Sequence, residues 1–364
     1  MAGSTYGKLF SVTTWGESHG DSLGVVIDGC PSGINLCEQD IQIDLDRRKP
    51  ATLKYSSKRA ELDRVNIVSG VFEGRTTGTP ITAIIENIDH HSKDYSDIES
   101  LYRPGHADFS YDQKFGFRDY RGGGRSSGRE TVSRVVAGAI ARKILSELNI
   151  HIYAYTKSVG NIAVPEVILQ ERFENPLVMP NNKTALEASL LIEKYMEQND
   201  SCGAVVECVV TGLKSGIGQP VFEKLDAELA KAMISIGGVK GVEFGRGFES
   251  AILKGSQNND AFCLDEHGRI AKDTNNSGGI LGGISDGSDI IFRLAFKPTP
   301  SIGKYQKTVT KDSELVDITI QGRHDPIIAP RAVIVVEAMA AIVIVDLLFA
   351  NLLSQMANIK KVYF

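Results

Sequence analysis

The chain has few cysteines, and none of them forms a metal-binding or redox motif. Cys30, Cys37, Cys202, Cys208 and Cys263 include no C-x-x-C pair, and no histidine cluster lies beside them. An odd number of cysteines without metal-ligand spacing is typical of reduced thiols in the cytoplasm. The sequence therefore predicts a cytoplasmic protein without a metal centre.

The sequence also lacks a leader, an uninterrupted membrane span and a linker. Its first twenty residues contain no basic stretch followed by an apolar one, so secretion is not indicated. The apolar run 332–350 is interrupted by Glu337 and Asp346, which leave eight uncharged residues between them. A central aspartate costs about 2.5–3.5 kcal/mol in a bilayer, so we interpret the run as a buried core helix and expect no membrane association. No Pro/Ser-rich stretch divides the chain, and we expect one domain, 1–364.

Positive charge is not in excess. The formal net charge of −5 disfavours a general nucleic-acid coat, so any basic patch should be local and should bind something small. Glycine, in contrast, is abundant: 36 of 364 residues, against an average of roughly 7%. Because the glycines cluster, they predict tight turns or backbone that approaches a ligand closely.

The spacing of apolar residues alternates between strand-like and helical. It predicts strands within 22–29, 65–74 and 80–87, and helices over 37–49, 128–149, from Thr184 onward and over 222–236. Ile41 and Leu45 should share the buried face of the first helix. The face of the second should hold Val132, Val135, Val136, Ala139, Ile140 and Leu148. Thr184 with Glu187, and Ser127 with Glu130, have the spacing of capping boxes, and Gly237-Gly238 should end the last helix.

One segment is echoed later in the chain. Val25–Ile34 resembles Val209–Ile217 with one residue deleted, and each reads as a strand, a Ser-Gly turn and a helix. A duplication would give two halves related by an approximate two-fold axis, whereas chance similarity among common turn residues would give none.

The segment RGGGRSSGRE, 121–130, is the most suggestive one for chemistry. Gly122–Gly124 lead into a helix that should begin near Gly128, and the start of a helix attracts anions. Arg125 and Arg129 add guanidinium groups that bind phosphate well. The alternative is a surface loop with solvated arginines. The segment lacks the lysine of a Walker A loop and the spacing of G-x-G-x-x-G.

Further polar residues lie in other turns. His19 and His106 each lie in a glycine-rich loop, where an imidazole can act as an acid or a base near neutral pH. Arg323, His324 and Asp325 are consecutive. The glycine run 278–283 and Lys297 could contact a ligand, although turn chemistry alone would also explain them.

Taken together, nine segments resemble the chorismate synthase family. They are GESHG, DLDRRKP, SGVFEGRTTGTPI, RPGHAD, RDYRGGGRSSGRET, KGVEFG, GGILGGISDG, KPTPS and GRHDP, which occur in the order of that family. The resemblance extends from Gly7 to about Asp346. The resemblance implies an α+β fold, a β-α-β sandwich that assembles as a homotetramer. It also implies 1,4-anti-elimination of phosphate and a C6 hydrogen from 5-enolpyruvylshikimate-3-phosphate to give chorismate. Reduced FMN (FMNH2) is required, with no net redox change.

Site residues follow from the same resemblance. His19 would protonate the departing phosphate, His106 would keep the reduced flavin suitably protonated, and Asp325 would draw a proton from the flavin. Substrate-facing positions would be Arg48, Lys54, Arg103 and Arg129. Positions that would contact FMN are Arg125, Ser126, Ser127, Gly237, Gly238, Gly282, Lys297, Pro298, Thr299, Pro300, Ser301 and Arg323.

The chain departs from the family pattern at a few positions. Lys54 stands where an arginine is expected, which loses a bidentate fork and should weaken anion binding there. Gly237-Gly238 replaces larger residues, so only backbone contacts are expected at that pair. The chain has no large insertion of the kind that goes with flavin reductase activity in some members of the family, so we expect an external flavin reductase to supply electrons. NADP is also associated with the family.

Three competing interpretations stay open at this point. A phosphate-transfer enzyme would need the missing Walker lysine, and an RNA-binding module is disfavoured by the acidic chain. A catalytically silent flavin-binding homologue is disfavoured because His19, His106 and Asp325 are all present.

Overall fold

A computed structural model describes residues 3–49, 55, 62–87, 99–320 and 325–364. The strands are β1 Thr5–Tyr6, β2 Ser11–Gly16, β3 Ser22–Asp28, β4 Val65–Ser69, β5 Val71–Phe72, β6 Arg75–Thr76, β7 Ile81–Glu86, β8 His151–Val159, β9 Ile162–Ala163, β10 Ala204–Thr211, β11 Val239–Phe244, β12 Phe262–Leu264, β13 Ile270–Lys272, β14 Ile280–Leu281, β15 Ile284–Ser285, β16 Ile290–Phe296, β17 Gln306–Val309 and β18 Leu315–Ile318. The α-helices are α1 Glu38–Arg48, α2 Asp108–Phe115, α3 Thr131–Ser146, α4 Asn182–Glu197, α5 Leu225–Ile234, α6 Gly255–Asn258, α7 Ala329–Asn351 and α8 Met356–Tyr363.

Two five-stranded antiparallel sheets carry the fold. One has the order β1-β2-β3-β7-β4 and the other β11-β16-β10-β8-β9. Strand interiors alternate between buried and less buried positions, as in Ile81–Glu86, because successive side chains point to opposite faces of a sheet. Helices and strands are mixed along the chain, as an α+β fold requires; the sandwich arrangement stays a prediction.

Helix α7 lies in the core. Among the described residues it is the one helix long and apolar enough to cross a membrane, yet 83% of its most apolar 18-residue window is buried inside the protein. It packs on α1, α3, α5, β8 and β10. At its contact with α3, a Cβ built on Gly138 would lie 2.2 Å from the Cβ of Ala338, so the two helices meet where one of them has no side chain. The prediction of a buried helix is confirmed.

The two carboxylates of that helix each have a structural partner. Glu337 accepts hydrogen bonds from Arg47 at 2.7 and 2.9 Å, from Arg142 at 3.0 Å and from the N–H of Ala154 at 3.0 Å. Asp346 accepts the backbone N–H groups of residues 8–10 at 2.6 to 3.1 Å. These contacts explain how a largely apolar helix tolerates two carboxylates, of which Glu337 is fully buried.

Most of the predicted elements are present. The predicted strands contain β3, β4, β5 and β7, and the predicted helices contain α1, α3 and α5. Ile41 and Leu45 are fully buried, as expected. Gly238 has φ +89°, so the chain leaves α5 through a backbone conformation that favours glycine.

Three local predictions were wrong. Leu148 lies beyond the end of α3 and is 54% exposed. Helix α4 is capped by Asn181, whose side chain accepts the N–H of Thr184, so Thr184 is not the capping residue. Ser127 caps a short 3₁₀ turn, Gly128–Glu130, by accepting the N–H of Arg129, and not through a reciprocal pair with Glu130. Asparagine and threonine each offer a short side-chain oxygen, and asparagine is the more favourable cap of the two.

The two sheets share one order of connections. In the first, β2, β3, α1, β4 and β7 lead to α3; in the second, β8, β10, α5, β11 and β16 lead to α7. β3 and β10 are the central strands, and each precedes a helix and then an edge strand. The pairing of each edge strand contains a register shift, at Ile67/Ser69 in β4 and at Val239/Gly241 in β11. An internal duplication with a two-fold axis stays a prediction, and this shared order supports it.

Candidate active site

A cavity of about 390 Å³ lies where the loops before α2, α3 and α7 meet the end of α5 and the loop after β16. Its lining gathers side chains and backbone from segments that are far apart in the chain. The described residues that line it are His19, Arg48, Arg103, Gly105, His106, Ala107, Gly123, Ser126, Ser127, Gly128, Arg129, Thr131, Ile236, Gly237, Gly238, Lys297, Thr299, Pro300, Ser301, Asp325, Ile328, Arg331, Ala332 and Val335.

His19 follows β2 and packs directly on the glycine-rich segment before α3. A Cβ built on Gly122 would lie 2.2 Å from its Nδ1 and 2.3 Å from its Cε1. No side chain fits there, so the glycine lets the imidazole lie against the backbone. The hydroxyl of Ser18 lies 2.9 Å from Nδ1 and helps to hold the ring.

His106 is held by the loop that follows β16. Its Nε2 lies 2.6 Å from Oγ of Ser301. In the same pair of loops, Nζ of Lys297 donates to the carbonyl of Gly105 at 2.7 Å, and a Cβ on Gly105 would lie 2.8 Å from Pro300. Burial and the neighbouring charge of Lys240 lower the pKa of Lys297. The loop that contains His106 and the loop that contains Lys297 therefore pack together at the cavity.

Two of the arginines share a carboxylate behind the cavity wall. Asp63 accepts a hydrogen bond from Nη2 of Arg48 at 2.5 Å and another from Nη1 of Arg129. Arg129 also donates from Nε to Asn87 at 2.9 Å. Burial raises the pKa of Asp63, but the two guanidinium groups outweigh burial and leave the pKa below its usual value. Asp63 therefore stays ionised and fixes both arginines.

Arg103 is held in a similar way. Asp108, at the start of α2, accepts its Nε and Nη2 at 2.8 and 2.7 Å and pairs with Arg118 at 2.9 Å. All three side chains are buried. Burial raises the pKa of Asp108, but the bonds from Arg103 and the charge of Arg118 lower it overall. A bidentate pair of this kind fixes the plane of the guanidinium group.

Asp325 enters the cavity just before α7. Its Oδ2 accepts a hydrogen bond from Nη1 of Arg331 at 2.6 Å. Sequence reasoning missed Arg331, as it missed Asp63. The sequence held one signal for Arg331, because it is a single cation among the apolar residues at the start of α7.

Some predicted site residues do not line this cavity. The guanidinium of Arg125 turns to β2, donating to the carbonyl of Gly16 at 3.0 Å and to Oγ1 of Thr14 at 2.6 Å. Pro298 is absent from the lining. Gly282 lies in the β14–β15 hairpin, beside the start of α5. The cavity lies at the other end of α5, and a helix of ten residues is about 15 Å long. Lys54 and Arg323 lie outside the described residues.

The lining strongly favours anions. Among its described residues are five cationic side chains and one carboxylate, that of Asp325: Arg48, Arg103, Arg129, Lys297 and Arg331 are the cations. In the described part of the chain no group of three or more His, Cys, Asp or Glu side chains could hold a metal ion. Two imidazoles and a carboxylate beside fixed cations can bind a multiply charged anion and move protons at it. Fold and site thus define an α+β protein built to act on an anionic small molecule.

Comparison with known proteins agrees with this site. The family model described as chorismate synthase matches residues 10–349. The chorismate synthases of Lachnospira eligens and Lachnoclostridium phytofermentans are each 57% identical to this chain, with all of both chains covered. A crystal structure of chorismate synthase matches with a TM-score of 0.76 at 30% identity, covering 98% of this chain and 97% of the other.

The chain belongs to the chorismate synthase family. It is a lyase that eliminates phosphate from 5-enolpyruvylshikimate-3-phosphate to give chorismate, a step in the biosynthesis of aromatic compounds.

Proposed function

We propose that the cavity is the active site for this elimination and that it holds the substrate against reduced FMN. One observation carries the proposal: His19, His106 and Asp325, which come from three distant segments, line the same cavity as five cations. The substrate has one phosphate and two carboxylates, and a lining of this charge compensates such an anion.

The residues present also fit a flavin phosphate. Hydroxyl groups and Lys297 line the cavity, and the backbone of Gly237 is open, because a Cβ there would meet nothing within 4 Å. Contacts to the flavin come from Ser126, Ser127, Gly237, Gly238, Lys297, Thr299, Pro300 and Ser301. Arg125, Gly282, Pro298 and Arg323 stay predictions as flavin contacts; the first three do not line this cavity. When bound, reduced FMN would supply electron density as phosphate leaves and would accept the C6 hydrogen.

His19 acts as the acid that protonates the departing phosphate. Its ring is fixed between Ser18 and the bare backbone of Gly122, so the proton has a defined direction. An acid held in this way lowers the barrier because the phosphate leaves with less negative charge.

His106 and Asp325 hold and accept protons in the same cavity. Ser301 fixes the ring of His106 at Nε2. Asp325 is the single carboxylate among the described lining residues, which makes it the natural proton acceptor there.

Arg48, Arg103 and Arg129 bind the anionic groups of the substrate. Each is oriented by a buried aspartate or amide, so little side-chain entropy is lost when the substrate enters. Lys54 would add a further point charge.

The remaining features of the enzyme follow from the family resemblance. We propose a single domain that assembles as a homotetramer in the cytoplasm and obtains reduced flavin from an external reductase, with NADP associated with that chemistry. The sandwich arrangement and the internal two-fold belong to the same proposal.

The proposal is tested under anaerobic conditions with purified protein, 5-enolpyruvylshikimate-3-phosphate and chemically reduced FMN. Phosphate and chorismate should appear together, and neither should appear with oxidised FMN. His19→Ala, His106→Ala and Asp325→Ala should each slow the reaction while the Tm stays close to that of the wild type. No product with flavin bound would instead identify a catalytically silent homologue, and no flavin bound would refute the assignment of the cavity.

A further inference from the structure

Arg331 and Asp325 form an ion pair inside the cavity. Oδ2 of the aspartate and Nη1 of the arginine are 2.6 Å apart, and their side chains are 15% and 20% exposed. Both residues line the cavity. The pair bridges the start of α7, because Asp325 precedes the helix and Arg331 lies in its first turn.

An arginine is an unusual choice for this position. The N-terminal end of a helix carries partial positive charge, so a cation in the first turn is disfavoured by about 0.3–1 kcal/mol. The rest of the helix is almost entirely apolar and buried. A cation kept here must be compensated, and the compensation comes from Asp325 and from the carbonyl of Arg48, which accepts from Nε at 3.4 Å.

The ion pair fixes the orientation of Asp325. A carboxylate in a loop can rotate about its side-chain bonds, whereas one held by a guanidinium group on a buried helix has its plane and position fixed. Helix α7 is anchored in the core through Glu337, so the arginine is itself held by a rigid element. Arg331 therefore ties Asp325 to the buried core helix.

We propose that Arg331 is a positioning residue for the elimination, acting through Asp325. The inference rests on the proposed role of Asp325 as a proton acceptor. It differs from a role in binding, in which Arg331 would contact the substrate directly as a further cation. The two roles predict different kinetics. A positioning role requires the carboxylate of Asp325, whereas a role in substrate binding does not.

The test is a double-mutant cycle in the assay with reduced FMN. Four proteins are compared: wild type, Arg331→Met, Asp325→Asn and the double variant. We expect Arg331→Met to lower kcat by about 10- to 100-fold, the usual effect of removing an orienting partner, with KM for the substrate changed less than about threefold. In the Asp325→Asn background the same change should cost less than about threefold, because the carboxylate that it orients is gone.

A conservative variant separates positioning from structure. Arg331→Lys keeps a donor on the same helix and should recover part of the lost kcat, and thermal unfolding should show similar Tm values for all the variants. Equal loss in both backgrounds, or a rise in KM in both, would overturn the inference and leave the proposed function intact. Full activity of Asp325→Asn would remove the role of Asp325, and with it the inference; an inactive wild type would refute the proposed function itself.

Discussion

Nε2 of His106 and Oγ of Ser301 lie 2.6 Å apart although 195 residues separate them in the chain. The serine is buried and belongs to the loop that also sends Lys297 to Gly105. One hydroxyl therefore sets the direction of a ring from the other half of the chain.

Removing that hydroxyl should impair catalysis more than folding. Ser301→Ala leaves the ring of His106 less well oriented, and we expect kcat to fall about tenfold, which corresponds to ~1.4 kcal/mol of barrier. Ser301→Thr keeps the hydroxyl and should retain most of the activity. Steady-state kinetics with reduced FMN, together with Tm, check the prediction; equal activity of the alanine and threonine variants would contradict it.

Adding one methyl group at Gly122 should displace His19. The new Cβ would lie 2.2 Å from the imidazole, closer than such atoms can approach, so the ring must move. A shift of about 1 Å in a catalytic group can cost about 100-fold in rate, and we expect Gly122→Ala to lose activity on that scale.

The matched control is Gly255→Ala, because a Cβ at that position meets nothing within 4 Å. It should leave both rate and Tm unchanged. Wild-type kinetics in Gly122→Ala would show that His19 can act from another position.

The contact between α3 and α7 should not tolerate a larger residue. Gly138→Ala would gain about 1 kcal/mol of helix propensity, but its Cβ would lie 2.2 Å from that of Ala338. Overpacking of a core typically costs about 1–3 kcal/mol, so we expect a net loss in the free energy of unfolding.

The reciprocal change tests the cause. In the double variant Gly138→Ala/Ala338→Gly the new Cβ would still lie 2.4 Å from the Cα of residue 338, so stability should stay below that of the wild type. Chemical denaturation measures the three variants. A double variant as stable as the wild type would rule out this backbone clash as the cause.

Glu337 should make the fold sensitive to acid. Burial raises its pKa, but Arg47 and Arg142 outweigh burial and leave the pKa below its usual value. A lowered folded-state pKa means that this stabilisation is complete above the unfolded value, about 4.3, and is lost as pH falls through the folded value. Glu337→Gln breaks a buried ion pair and should cost about 3–5 kcal/mol at neutral pH.

Denaturant unfolding at pH 7 and at successively lower pH checks the sign. The difference between wild type and Glu337→Gln should shrink as the medium becomes more acidic than the folded-state pKa. A difference that is constant down to strongly acidic pH would show that the carboxylate charge does not matter.

The features that could be predicted from the sequence depend on residues that are close together in the chain. The interrupted apolar run indicated a buried helix because two charges in nineteen residues suit a core better than a lipid bilayer. The glycines and arginines before α3 indicated an anion site because a helix start attracts anions wherever it lies. Arg48, Arg103 and Arg129 are all in the cavity.

The unpredicted part depends on distant contacts. Asp63 is one acid in a mixed run, and nothing in its neighbours shows that it meets Arg48 and Arg129. Arg125 has the same local pattern as Arg129. Its guanidinium group nevertheless turns to β2 and donates to Gly16, which lies 109 residues away in sequence. Residue type and spacing gave both arginines the same prediction, and only the tertiary packing of β2 separates them.

The position of α7 after the other segments that line the cavity has a consequence for biosynthesis on the ribosome. The loops of His106, Lys297 and Asp325 come from both halves of the chain, and α7, which packs on elements of both, is translated after them. A nascent chain that has exposed only α3 and the first sheet holds His19 and His106 without Asp325 or Ser301. We therefore expect the cavity to be complete only after α7 has left the ribosome.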